Sequence, residues 1–240
     1  MKKLALLSLF AMLFAMTATF AYASCPVEAG VQCAFYAGDL DLNDPNQNGL
    51  ANENDAIVGG SPYGAATYQN FNFAGGTVVG LATNNLSQLN PSTAYWEIRS
   101  GVSEGNGGVL IASGTGATSN QATGRSDFGF NEYTNFVGGL NVSLGAGQYW
   151  MAVVPQDTGN ANRSFNSDTD GLNASGATST ANQQYFNSAF FGANFTNANN
   201  EGAFAAFSQA AYVTPEPSSL IMLGSGLVAA AGVVRRRLSK

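Results

Sequence analysis

Residues 93–115 read T-A-Y-W-E-I-R-S-G-V-S-E-G-N-G-G-V-L-I-A-S-G-T. Two runs rich in β-branched and aromatic residues, 93–100 and 109–115, flank a stretch rich in Gly. That is the pattern of strand, turn and strand. Within 93–100, alternation places Ala94, Trp96 and Ile98 on one face and Tyr95, Glu97 and Arg99 on the other. The first set is expected to be core. The second is expected to be exposed, with Glu97 and Arg99 paired at i, i+2.

Outward from this segment the same texture continues. Short apolar or alternating runs occur at 32–36, 66–73, 77–83, 136–144, 147–155, 184–191 and 203–207, separated by N-G and G-A-G turn chemistry. In 147–155, Trp150, Ala152 and Val154 oppose Tyr149, Met151 and Val153. Both faces are apolar, so a central strand is expected. Nine or more strands at spacings of about 8–15 residues, with no long amphipathic helix, predict an all-β fold: a single β-sandwich or jelly-roll-like domain. A β-solenoid is the competing architecture, but no fixed period supports repeats.

Charge excludes several function classes. Between residues 24 and 212 the only basic residues are Arg99, Arg125 and Arg163, against fourteen Asp and Glu, which gives 3 − 14 = −11. Nucleic acid is no partner for such a body, because phosphate contacts need clustered Lys and Arg. The chain has no His, so His-based triads and His metal ligands are excluded. Neither a G-x-S-x-G elbow nor a phosphate-binding G-K-[ST] loop occurs.

Both ends read as processing segments. Lys2-Lys3, an apolar stretch from Leu4 to Phe20 and the A-x-A of Ala21–Ala23 form a signal peptide over 1–23, with cleavage expected after Ala23. An uncleaved anchor and a lipoprotein at Cys25 are the other readings; Tyr22 stands where lipid attachment wants a Leu-like residue. Export implies an oxidising compartment, so Cys25 and Cys33 are expected to bridge, two thiols being the alternative. At the other end, Ser218–Val234 is an uncharged run of seventeen residues followed at once by Arg235, Arg236 and Arg237. At helical rise it spans about 26 Å, at the short end for a transmembrane helix. The arginines should stay cytoplasmic, leaving the body on the far side.

Pro215-Glu216-Pro217, an apolar helix and an arginine cluster together resemble the PEP-CTERM protein-sorting tail, a region also catalogued as the ice-binding protein C-terminal domain. The resemblance covers about 25 residues within 213–240. It implies a bacterial cell with an outer envelope, often one making exopolysaccharide, and a membrane protease-transpeptidase, the exosortase, that recognises Pro215, Glu216 and Pro217, with Arg235, Arg236 and Arg237 as the stop-transfer signal. The phrase 96–114 is similar to bodies found with such tails, which carries no activity with it.

Within the body, D-P-N-Q-N-G-L-A-N-E-N-D (44–55) places Asp44, Asn46, Asn48, the Leu50 carbonyl, Asn52 and Asp55 at calcium-loop positions 1, 3, 5, 7, 9 and 12, with Gly49 at 6. Asp at the last position resembles dockerin-type loops. The flanking sequence offers no helices, and the other reading is an acidic turn. Glu97, Glu104, Asp127 and Glu132 are the candidates for a glycosidase carboxylate pair. Tyr63, Tyr68, Tyr95, Tyr133 and Tyr149 are candidates for stacking on sugars. Ice binding wants ladders of Thr-x-Thr, and only T-S-T at 178–180 is present.

The sequence therefore predicts an exported surface or extracellular-matrix protein without catalysis of its own. Its expected partners are exosortase, the secretion machinery, the inner membrane before processing, and polysaccharide. No cofactor is expected unless calcium binds at 44–55. A secreted carbohydrate-active enzyme using paired carboxylates is the alternative.

Overall fold

The computed structural model describes residues 25–26, 28, 30–40, 42–43, 49–88, 91–201 and 206–214. The signal peptide, Pro215–Pro217, the apolar run, Arg235–Arg237, and Asp44, Asn46 and Asn48 lie outside the described residues.

Alternation in the sequence becomes strand almost everywhere it occurs. The elements are β1 (Gln32–Tyr36), β2 (Gly49–Ala51), β3 (Asn54–Asp55), β4 (Ala66–Phe73), β5 (Gly76–Ser87), β6 (Thr93–Ser100), β7 (Val109–Asp127) and β8 (Phe130–Leu144). They continue with β9 (Gly147–Asp157), β10 (Ser164–Thr169), β11 (Ser175–Gly176), β12 (Tyr185–Ser188), β13 (Ala193–Asn197), β14 (Ala206–Phe207) and β15 (Gln209–Val213). No α-helix occurs among the described residues. The main path runs β11-β1-β15-β5-β8-β7-β6-β9-β4-β12-β13, antiparallel throughout, with the short β3 lying parallel to β9.

The all-β class is as the sequence predicts. The architecture differs: a single antiparallel sheet curls so that its halves face one another, in place of two separate sheets. The cause is β7. Its first part, through Ala117, pairs with β6, and from Thr118 onward it pairs with β8, so one strand belongs to both halves. Small residues let it turn the corner. A Cβ at Gly116 would lie 2.6 Å from Val137 Cγ1, and one at Gly114 would lie 3.2 Å from the Trp96 ring. The side chains of β6 and β8 therefore close over the bend in space that β7 leaves empty.

Between the halves lies an apolar core built from Phe35, Phe71, Val78, Leu81, Ile98, Val137, Met151 and Val153. β9 sits between β6 and β4 with both faces buried, as its two apolar faces require. The expected exposed face of β6 is the exception. Ala94 and Ile98 are core, but Tyr95 and Glu97 are buried too. The sheet rolls back at its far end, so that Phe195 of β13 packs on Tyr68 of β4 and under Arg99 of β6. This roll encloses a second cluster containing Tyr68, Tyr95, Trp150 and Tyr185.

The core changes character along the strands. Toward the β4–β5 and β8–β9 turns it is apolar. Toward the β7–β8 turn it is a network of amides and hydroxyls. Asn52 Nδ2 donates to the Val153 carbonyl at 2.8 Å, and Asn85 Nδ2 to Ser164 Oγ at 2.7 Å. Asn84 Nδ2 donates to the Tyr36 hydroxyl at 2.8 Å, and Asn84 Oδ1 accepts from Thr134 Oγ1 at 2.6 Å. Buried polar groups are tolerated where they pair in this way. The first and last strands, β1 and β15, pair with one another (Gln32 opposite Val213), so the two ends of the described chain are laddered side by side within a path that ends at β11 and β13.

Candidate functional site at the tail junction

β15 is an interior strand. It lies between β1 and β5, and its alanines 210 and 211 are fully buried. Tyr212 anchors the end of the strand: its ring meets Phe136 edge-on at 5.2 Å, and its hydroxyl donates to the Pro26 carbonyl at 2.9 Å. Burial pushes the Tyr212 hydroxyl well above the usual tyrosine range, with Glu28 adding to it, so it remains a hydrogen-bond donor. Cys25 and Cys33 are joined as a disulfide, with Cα atoms 6.2 Å apart. The N-terminal segment is thus held against β15, and the chain enters and leaves the fold side by side.

Val213 makes the last ladder pairs, to Gln32 and Val78, and Thr214 beyond it is exposed. Beside this exit lies a cleft of about 760 Å³. Its lining includes Gln32, Asn72, Thr77, Ser175, Thr178 and Thr214, with Phe73 as the aromatic, and among the described residues contains no charged side chain. Asn72 is fixed by Thr178, whose carbonyl takes the Asn72 N–H at 2.8 Å and whose Oγ1 takes its amide at 3.3 Å. Nearby, Gln148 Nε2 donates to Gln183 Oε1 at 2.8 Å and to Thr180 Oγ1 at 3.1 Å. The cleft is thus largely apolar, with neutral amides and hydroxyls set among Ala34, Phe73, Ala177 and Val213.

The end of β15 coincides with the start of a sorting signal. Residues 213–237 match the PEP-CTERM protein-sorting motif. The motif marks the chain as an extracellular protein sorted by an exosortase. Here the PEP-CTERM motif begins on the last strand residue, and its Pro215 stands two residues past Val213. No curated protein matches the chain.

The other residues singled out by sequence fall elsewhere. Glu97 is fully buried and takes two bonds from Arg99, at 2.5 Å from Nε and 3.2 Å from Nη2. Its remaining positions accept from the hydroxyls of Tyr95 (2.8 Å) and Tyr68. Glu132 is likewise buried, taking Arg125 Nε at 2.5 Å, Thr123 Oγ1 at 2.7 Å and Ser167 Oγ at 2.6 Å. Glu104 receives the Asn197 N–H at 2.6 Å, and Asp127 receives the Phe128 N–H at 2.8 Å in the β7–β8 turn. The four carboxylates serve four separate local structures. No group of three or more Asp, Glu, His or Cys that could hold a metal occurs among the described residues.

Of the 44–55 segment, residues 49–55 are described. Gly49–Ala51 is strand β2, laddered to β10, where a calcium loop would wind around its ion. The Asn52 amide points into the buried network, and Asp55 Oδ1 accepts the N–H groups of Ile57 and Val58, both at 2.6 Å. Of the tyrosines, Tyr68 and Tyr95 are core, and Tyr63, Tyr133 and Tyr149 are half-buried. Among the described residues the exposed aromatics are instead Phe128, Phe190 and Phe191. Thr178 and Thr180 are engaged with Asn72 and Gln148 and form no ladder across strands.

Sequence reasoning missed the cleft. Its lining comes from the edges of β1, β4, β5, β11 and β15, and no local pattern links those residues.

Proposed function

We propose that this chain is a non-catalytic surface or matrix protein, exported by its signal peptide and held in the membrane by 218–234 until an exosortase cuts near Pro215. It then contacts neutral polysaccharide through the cleft beside the junction. The observation that carries this reading is the abrupt junction: β15 is laddered up to Val213, the residue on which the sorting motif begins, and Thr214 beyond it is already exposed. A cleft of this volume suits a short oligosaccharide: its apolar lining, with Phe73, suits the faces of sugar rings, and its few uncharged amides and hydroxyls suit their hydroxyls. The carboxylates that a hydrolase would need are engaged by arginine, tyrosine or backbone partners, which favours binding over turnover.

The test is expression of the full chain with and without an exosortase. Intact-mass measurement should find a released body ending near Pro215, and Glu216→Ala should leave the chain in the membrane fraction. Equal release of the variant would sink the sorting role of Pro215–Pro217. In glycan binding, Asn72→Ala and Thr178→Ala should weaken retention without altering the melt; retention unchanged in both would remove the cleft from the reading.

A further inference from the structure

Strand β5 changes partner part-way along its length. It pairs with β15 as far as Thr83, opposite Gln209, and with β10 from Asn85 onward, opposite Asn166. β10 in turn leaves β5 to pair with β14, with Asp168 opposite Phe207. Backbone bonds hold this fork together: the Asn84 N–H donates to the Ser208 carbonyl and the Ser208 N–H to the Ser167 carbonyl, both at 2.8 Å. Leu81 and Ala211 belong to the apolar core, so Thr83 and Gln209, two residues along each strand, face the same interior. The Asn166 amide reaches Thr83 Oγ1, and Asp168 alternates to the same face of β10.

The two amides at the fork are oriented by carbonyls, which can only accept. Gln209 Nε2 donates to the Thr67 carbonyl at 3.1 Å, and Asn166 Nδ2 to the Asn84 carbonyl at 3.4 Å. Their oxygens must therefore point the other way. Gln209 Oε1 and Asn166 Oδ1 are buried and accept no hydrogen bond among the described residues. Buried amide oxygens in folded proteins are ordinarily paired, so two such atoms at one fork call for a ligand. Beside them stands the carboxylate of Asp168, 1% exposed.

We propose that Gln209 Oε1, Asn166 Oδ1 and the Asp168 carboxylate bind one sodium ion at this fork. All three ligands are oxygens, the donors that hard cations take, and the set holds no thiolate or imidazole to favour a softer metal. Charge sets the valence. One carboxylate with two neutral amides balances a single positive charge, whereas a divalent ion would leave a net charge in the interior, which is costly. Calcium also takes about six to eight oxygens. A buried water also serves amide oxygens, but the carboxylate alongside attracts a cation far more strongly. The site exists only when β5, β10 and β15 have come together, so the ion binds the native chain alone. Gln209 is the first residue of β15, so the ion fixes the start of the strand at whose end the sorting motif begins.

The test is urea unfolding of the full chain in non-ionic detergent, followed by tryptophan fluorescence, with NaCl exchanged for choline chloride at constant ionic strength. Above the dissociation constant, the folding constant should rise tenfold for each tenfold rise in Na⁺, the signature of one ion held only by native protein. Calcium chloride without Na⁺ should not reproduce the rise. Asp168→Asn should abolish the Na⁺ dependence. If that variant does not fold, Gln209→Met, which removes one ligand, should need a higher Na⁺ concentration for the rise to begin. No Na⁺ dependence in the unmodified chain overturns the proposal, and a water is then the occupant. Dependence that persists unchanged in the folded variant overturns it too, by placing the ion elsewhere. A response to calcium alone overturns the charge argument and the proposal with it.

Discussion

At the scale of single residues, the chain spends all three arginines of its body on buried glutamates: Arg99 on Glu97, Arg125 on Glu132 and Arg163 on Glu53. Such pairs add little net stability over an apolar substitute, but losing one partner strands a charge in the interior. Arg99→Met should therefore cost roughly 3–5 kcal/mol in denaturant unfolding. The double change Glu97→Gln with Arg99→Met should recover a large part of it. A loss below about 1 kcal/mol for the single change would mean that the tyrosine hydroxyls suffice. Glu53 behaves differently, because burial outweighs its bonds from Arg163 and the Ser164 N–H and lifts its carboxyl to about 7. Native protein then binds this proton more tightly than unfolded chain does, so the stabilisation is complete below pH 4.5 and is lost as pH rises to 7. The fall should be on the order of 3 kcal/mol, read from unfolding midpoints across that window, and Glu53→Gln should flatten it. The i, i+2 pairing of Glu97 and Arg99 was legible in the sequence, since both alternate to one face of β6. Their burial was not, because it depends on Phe195, about a hundred residues away.

At the scale of elements, legibility followed apolar alternation. β4 and β6 occupy the segments 66–73 and 93–100 that their alternation predicts. β10, reading S-F-N-S-D-T, looks like a loop by composition, yet Ser164, Asn166 and Ser167 are fully buried. Their partners Asn85, Thr83 and Glu132 come from β5 and β8, so the reason for their burial is tertiary and leaves no local mark. β15 was hidden in the same way: Gln209 is buried because its amide reaches Thr67 Oγ1 at 3.0 Å and the Thr67 carbonyl at 3.1 Å. Gly114 falls within the strand run 109–115 that the sequence predicts, and with Gly116 it acts as the hinge of the curl, which no local pattern marks. Gly116→Val should therefore destabilise by about 1–3 kcal/mol, since its side chain would overlap the stiff Val137. Adding Val137→Ala should restore much of the loss in the same denaturation assay. Failure of that rescue would place the strain in the β7 backbone instead.

At the scale of the whole molecule, charge and topology divide the surface. The chain enters and leaves at one end, beside a cleft without charged groups, while the body carries its excess of acids elsewhere. Each body arginine already faces a glutamate, so none is left uncommitted for an incoming anion. A polysaccharide bearing carboxylates or sulfates therefore meets net repulsion, and a neutral one does not. Exposed charges more than about 10 Å apart are largely screened at 0.1 M salt, so the repulsion is strongest in dilute buffer. In co-sedimentation with insoluble glycans, residues 24–214 should be retained on neutral polymers at all ionic strengths. On acidic polymers retention should be absent in dilute buffer and should rise as salt is added. Acidic binding that is strongest at low salt would require a cationic site on this surface, and the amide-lined cleft would lose its claim as the contact. Retention on neutral polymer that disappears in Asn72→Ala, while the melt is unchanged, would tie the interaction to the end of the sheet from which the sorting tail departs.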